Sequence, residues 1–209
     1  DYVFTIDRAS IPFYQGLGYS AHYLPWACNP DFHKPGQPQE QYTCDIAVVA
    51  TAGVRWNSYR KDSVQILLKP LIENGYNVLI WGDRWDKLDS EIVGFEVPSP
   101  LLKQKIPYVD TNDVYSSSKI VLGFQNNIQE LTSRTFEVLG AGGFLLTPCT
   151  PAIQKIFIPE EHLVCSQSPE ETLKLIDYYL NHEEERKAIA QSGQKEVYNN
   201  HTYRHRAEE

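Results

Sequence analysis

The strongest chemical signal in the chain lies between Phe124 and Glu137. Phe124-Gln125-Asn126-Asn127-Ile128-Gln129-Glu130-Leu131 is polar and amide-rich, and it leads into a helix expected to begin near Thr132 or Ser133. The unpaired amides at such a helix start favour an anion. Arg134 falls in the first turn, where a cation opposes the helix dipole at a cost of some tenths of a kcal/mol unless an anion is bound. One reading is therefore a phosphate contact; the other is an ion pair with Glu130 or Glu137. Glu137 follows one turn later. A carboxylate there can accept hydrogen bonds from vicinal hydroxyls, as acidic residues do with ribose, or it is an ordinary surface glutamate of an amphipathic helix.

Two upstream loops invite the same question. In Thr51-Ala52-Gly53-Val54-Arg55-Trp56-Asn57-Ser58-Tyr59-Arg60, Gly53 permits close backbone approach. Arg60 again sets a cation at a helix start, where an anion would relieve it, or else it faces solvent among Lys and Asp. Trp85, in Trp81-Gly82-Asp83-Arg84-Trp85, either stacks on a base, lines a cleft or belongs to the core. Other constellations carry less. His201 and His205 are four apart, but no third ligand accompanies them, so a structural role is expected. Ser116-Ser117-Ser118 lacks the G-x-S-x-G turn of a nucleophile elbow. Cys28, Cys44, Cys149 and Cys165 are widely spaced with no C-x-x-C pair, and are read as reduced packing thiols.

The elements that position these residues alternate short apolar runs with helical patterns, the signature of an α/β fold with a parallel sheet flanked by helices. Strands are expected at 45–50, 77–81, 107–109, 119–123, 144–147 and 162–165. A helix from about Ser58 to Asn74 shows a 3.6-residue apolar period through Val64, Leu67, Leu68, Leu71 and Ile72, with Pro70 expected to kink or interrupt it. Ser168-Pro169-Glu170-Glu171 reads as an N-cap, a first-turn proline and an acidic first turn. A further helix runs from about Glu183 toward Tyr198. Upstream, Tyr2–Ile6 and Ala21–Leu24 read as strands, and prolines 25, 30, 35 and 38 mark a crossover between domains.

With 209 residues, 42% of them hydrophobic, the chain can bury a sizeable core. A net charge of −8 disfavours nucleic acid as a partner. No run approaches the roughly 18 apolar residues of a transmembrane segment, and no signal peptide is evident, so a cytoplasmic location is expected. The chain opens on a strand-like run without Met and stops inside a charged helical pattern, so it is expected to be a piece of something longer.

Thr132 through Thr147 carries R-x-F-E-x-L-x-x-G, beginning at Arg134, and resembles the corresponding segment of CgeB-like glycosyltransferases (spore maturation protein, group 1-type). Lys119–Phe124, Ser168–Leu180, Glu185–Ala190 with Gly193, and the ending His201-Thr202-Tyr203-Arg204-His205-Arg206 match in order. The loop with Gly53 and Arg60 looks like the family's G...R loop, and Trp81–Trp85 like its Y-G-x-G-W segment, with Gly82 at the first glycine and Arg84 at the second. The resemblance implies the C-terminal, Rossmann-like half of a GT-B glycosyltransferase. Residues 1–44 would be the end of the N-terminal domain and the crossover, 45–200 the nucleotide-sugar-binding domain, and 201–209 the start of a C-terminal helix. It further implies a nucleotide diphosphate-sugar donor, with no other cofactor and no metal. Glu137 would hold ribose, Ser133, Arg134 and Arg60 the diphosphate, and the Asn126–Glu130 loop the sugar. Related enzymes use two glutamates with seven residues between; here Gln129 occupies the first position. Glu130 is then a candidate catalytic or sugar contact, with Asn126 or Asn127 as alternatives. A saccharide, lipid or protein acceptor would sit in an N-terminal domain. A noncatalytic nucleotide-binding or scaffold module is the competing reading. A Rossmann-type epimerase or dehydrogenase lacks its G-x-G-x-x-G turn here.

Overall fold

The computed structural model describes residues 1–55 and 58–208. Strand β1 (Tyr2–Thr5), helix α1 (Ile11–Gly16) and strand β2 (Ser20–Tyr23) form a small parallel unit in which Val3 pairs with Ala21. The proline-rich segment that follows has no α-helix and delivers the chain to β3 (Cys44–Val49). Then come α2 (Tyr59–Leu67), α3 (Lys69–Glu73), β4 (Val78–Trp81), α4 (Ser90–Val93), β5 (Leu102–Lys103), α5 (Thr111–Ser117) and β6 (Ser118–Leu122). The rest is α6 (Ser133–Gly140), β7 (Leu145–Pro148), α7 (Pro151–Ile156), β8 (Val164–Ser166), α8 (Pro169–Asn181), α9 (Glu183–Asn200) and α10 (Tyr203–Glu208).

The six strands from β3 onward make one sheet in the order β5-β4-β3-β6-β7-β8, every pair parallel. Parallel strands are covered on both faces, which is why they read as continuous apolar runs. Ile46, Val48, Val78 and Ile80 pack with Val64, Leu67 and Leu71 of α2 and α3 and Ile176 of α8. Their strand neighbours Ala47, Val49 and Trp81 pack on the other side with Val114, Phe136, Leu139 and Val197. Each fully buried Leu or Ile contributes about 1.5 to 3 kcal/mol. Because the chain builds outward from β3 in one direction and restarts from β6 in the other, the strand order reverses between β3 and β6. Ligands of open α/β sheets bind beyond the carboxyl ends of the strands at such a reversal.

Two expectations need correction and a third is met. The strand near 107–109 is instead a 3-10 turn over Tyr108–Asp110, closed by Asp110 N–H donating to Pro107 O, and the edge strand is the two-residue β5, paired to Ile80 and Trp81. The helix from Ser58 is interrupted at the proline as expected: Pro70 has no N–H to continue the ladder, so α2 stops at Leu67 and α3 takes the proline into its first turn. Cys149 and Cys165 are joined in a disulfide. The register of β7 on β8 sets Thr147 beside Cys165 and leaves the Cα atoms of the two cysteines 4.9 Å apart. Cys28 and Cys44 are free and buried.

Candidate functional site

The loops that leave β3 and β6 border a cavity of about 320 Å³ at the strand-order reversal, with Gly53, Arg60, Asn126, Thr132, Ser133 and Arg134 on its wall. Gly53 takes φ +55°, a left-handed turn that glycine makes at little cost. Trp56 and Asn57 of the same loop lie outside the described residues.

Arg60 does not face solvent. It is 8% exposed, and its guanidinium donates to Thr51 O at 2.8 Å, Phe124 O at 3.2 Å and Ala52 O at 3.3 Å. The Phe124 ring lies 4.8 Å beneath it. Among the described residues it has no carboxylate partner. Burial, reinforced by the neighbouring Arg134 charge, pushes its pKa down to about 10, so it remains cationic near neutrality. A buried cation held by carbonyl dipoles and one aromatic ring, and repelled by a second cation, leaves positive charge uncompensated at the cavity wall.

Arg134 lines the same cavity from the first turn of α6. No side chain caps that helix, because the Thr132 hydroxyl turns back to donate to Phe124 O at 3.3 Å. The ion pair expected for Arg134 is present on the Glu137 side: the residue borders the cavity, and its Nη1 donates to Glu137 Oε2 at 2.6 Å and to the Tyr115 hydroxyl. Burial raises the Tyr115 pKa to about 12, against the lowering pull of Arg134. Glu137 is buried, not a surface residue. Its carboxylate lies behind Arg134, and its charge adds to burial in raising the pKa of the Tyr108 hydroxyl. Tyr108 in turn accepts from His33 Nε2 at 2.9 Å. The Asn29 N–H donates to His33 Nδ1 at 3.0 Å, so the proton of the neutral ring sits on Nε2. Burial lowers the His33 pKa, with Glu137 opposing. The Tyr108 ring stacks on Phe32 with 4.9 Å between centroids.

The sequence reading had no means of finding this relay or Gln125. The Gln125 amide is fully buried: its N–H groups donate to Thr135 Oγ1 at 3.0 Å and Thr147 Oγ1 at 3.1 Å, while its Oε1 accepts from Thr132 N at 3.0 Å. It pins the start of α6 to β7 and so fixes where Ser133 and Arg134 stand.

The remaining candidates divide. Asn126 is exposed on the cavity wall, whereas Asn127 builds the turn, its Oδ1 accepting from Gln129 N at 2.8 Å and Glu130 N at 2.7 Å. Glu130 turns away from the two arginines: its carboxylate accepts from Arg8 N at 2.9 Å and from Asn127 Nδ2 at 3.4 Å. Trp85 belongs to the core. It is 3% exposed, packs near Phe124 and donates its indole N–H to Ala50 O at 2.6 Å, which leaves no ring face for a base. Gly82 is dictated by backbone approach, since a Cβ there would lie 2.0 Å from Ala50 O. It borders a smaller crevice of about 160 Å³ shared with Tyr108 and Arg134, at whose rim Lys105 pairs with Asp83 at 2.9 Å. His201 and His205 hold local structure, with His205 Nδ1 on Thr202 Oγ1 at 2.7 Å. Among the described residues no group of three or more His, Cys, Asp or Glu could hold a metal, and no helix is long and apolar enough to cross a membrane.

The model of one protein family, described as glycosyl transferase-like, matches residues 60–209. The chain belongs to the glycosyl transferase-like family. No curated protein matches it in sequence. Among solved structures, sucrose-phosphate synthase from Thermosynechococcus elongatus is similar over 99% of this chain and 55% of its own, at 15% identity and a TM-score of 0.65. The T4 phage β-glucosyltransferase BGT, solved with its UDP-glucose substrate, is similar over 98% of this chain and 58% of its own, at 14% identity and a TM-score of 0.64. The C-terminal domain of the group 1 glycosyl transferase LpcC from Francisella tularensis aligns over 83% of this chain and 97% of its own, at 13% identity and a TM-score of 0.55. At such identities the likeness is one of fold: this glycosyl transferase-like chain has the α/β architecture of a GT-B C-terminal domain. It spans about half the length of the first two structures.

Proposed function

We propose that the chain is the donor-binding part of a CgeB-like glycosyltransferase that takes a nucleotide diphosphate-sugar and passes the sugar to an acceptor. The observation that carries this reading is the meeting of two guanidiniums, one buried without a carboxylate, at the uncapped start of α6. Arg60, Arg134, Ser133 and the first-turn amides of α6 would receive the diphosphate. Glu137, held by Arg134, would receive the ribose hydroxyls, and Asn126 and Gln129 would border the sugar. As the bond between sugar and diphosphate breaks, negative charge gathers on the departing phosphate oxygen, where fixed donors stabilise it without reorganising. The guanidiniums and amides supply the positive charge, so this reading assigns no metal.

Titration calorimetry with uridine and guanosine diphosphates tests it. Binding is expected for at least one of the two, and Arg134→Ala should weaken it by about 1.5 to 3 kcal/mol, the range for a hydrogen bond to a charged group. Unchanged affinity in a folded variant removes Arg134 from the site. Donor hydrolysis by the full-length protein then separates an enzyme from a nucleotide-binding module.

A further inference from the structure

A second cavity, of about 260 Å³, lies on the other side of the 126–132 loop, where the carboxyl ends of β1 and β2 meet that loop and α7. Tyr23, Trp26, Leu131 and Ile156 give it apolar and aromatic walls. Its charged lining is basic in an acidic chain: among the described residues on its wall, Arg8, Lys155 and Arg206 are the cations and Glu130 is the one carboxylate. That carboxylate already accepts from Arg8 N and Asn127. The Arg8 guanidinium rests 3.6 Å over the Tyr23 ring, a cation–π contact that fixes its position and leaves its edge N–H groups to a ligand. Among the described residues neither Arg8 nor Lys155 makes an ion pair. Arg206 donates from Nη2 to His201 Nδ1 at 3.0 Å. Flat apolar walls beneath a fork of cations complement an anion carried on a ring or other apolar body.

We propose that this cavity receives the acceptor, and that the acceptor bears a phosphate or carboxylate beside an apolar or ring-shaped body. The acceptor role rests on the donor reading above, because the 126–132 loop is the wall shared by the two cavities; the preference for an anion rests on the second cavity alone.

The test follows the Trp26 indole N–H resonance by NMR while phenyl phosphate, benzoate or neutral benzyl alcohol is titrated into the 209-residue chain. The anionic probes are expected to shift this resonance at concentrations about fivefold below benzyl alcohol, which is what two exposed charge contacts supply. Phenyl phosphate and benzoate tell a phosphate-bearing acceptor from a carboxylate-bearing one. Arg8→Gln with Lys155→Gln should abolish the preference, while Arg134→Ala, which disables the donor cavity, should leave it intact. Equal response to the neutral probe, no shift of Trp26, or a preference that survives the double variant overturns the proposal. A parallel titration with uridine and guanosine diphosphates keeps the two readings apart: loss of nucleotide binding with the Trp26 response intact sinks only the donor assignment.

Discussion

Replacing Arg60 with methionine separates a structural arginine from one waiting for an anion. In the empty protein the guanidinium pKa is pushed from 12.5 to about 10, so keeping it charged near neutrality costs on the order of 3 kcal/mol. The sign follows from the lowered value: folding disfavours the cation at every pH below its folded pKa. Against this stand three hydrogen bonds to carbonyls, each worth about 1 kcal/mol net. The terms nearly cancel. Arg60→Met, which keeps the aliphatic stem, should therefore change the unfolding free energy of the empty chain by only about 1 kcal/mol, measured by urea denaturation. The same substitution should weaken uridine or guanosine diphosphate by about 2 to 3 kcal/mol, some 30- to 150-fold, because a bound phosphate would otherwise recover the desolvation cost. A variant that loses more than about 3 kcal/mol of stability yet binds nucleotide as before would show that Arg60 is only a fastener between the two loops.

Other consequences can be checked in the same samples. Burial lowers the His33 and His201 pKa values, so the unfolded chain binds more protons and stability falls as pH drops below about 6.5. His33→Gln should flatten part of that slope in urea titrations at pH 7.5 and 5.5, and an unchanged slope would remove His33 as a contributor. Gln125→Leu leaves the Thr132 amide and the Thr135 hydroxyl without this partner, while the Thr147 hydroxyl keeps its bond to Gly123 O. It should cost about 2 to 4 kcal/mol of stability and weaken nucleotide binding through misplacement of Arg134. Reduction of the Cys149–Cys165 bridge, 16 residues apart, should lower the unfolding free energy by about 3 kcal/mol, read as a fall in the urea midpoint with and without dithiothreitol.

What the sequence disclosed was local. The α8 start reads directly from Ser168, Pro169 and the acidic pair, and Ser168 Oγ indeed accepts from Glu171 N at 3.2 Å. The order of strands and helices was legible because each buried strand is an apolar run. β5 was not, since two residues carry no periodicity. Other features depend on partners distant in the chain. Tyr108 meets His33 across 75 residues, and Arg60 is buried only because Phe124 and its carbonyl, 64 residues away, close over it. The misplaced charges at 60 and 134 were visible as anomalies of helix electrostatics. Whether Trp85 faced ligand or core was not, because a tryptophan beside glycines fits both.

The Glu130 carboxylate reaches back 122 residues to the Arg8 amide, fastening the loop between the two cavities to the small β1–α1–β2 unit. An exposed bond of this kind is worth about 1 kcal/mol, little more than thermal energy. Such a clasp biases where the loop rests without bolting it, so the partition between the two cavities keeps its shape chiefly through the turn that Asn127 builds and the anchor that Gln125 drives into β7.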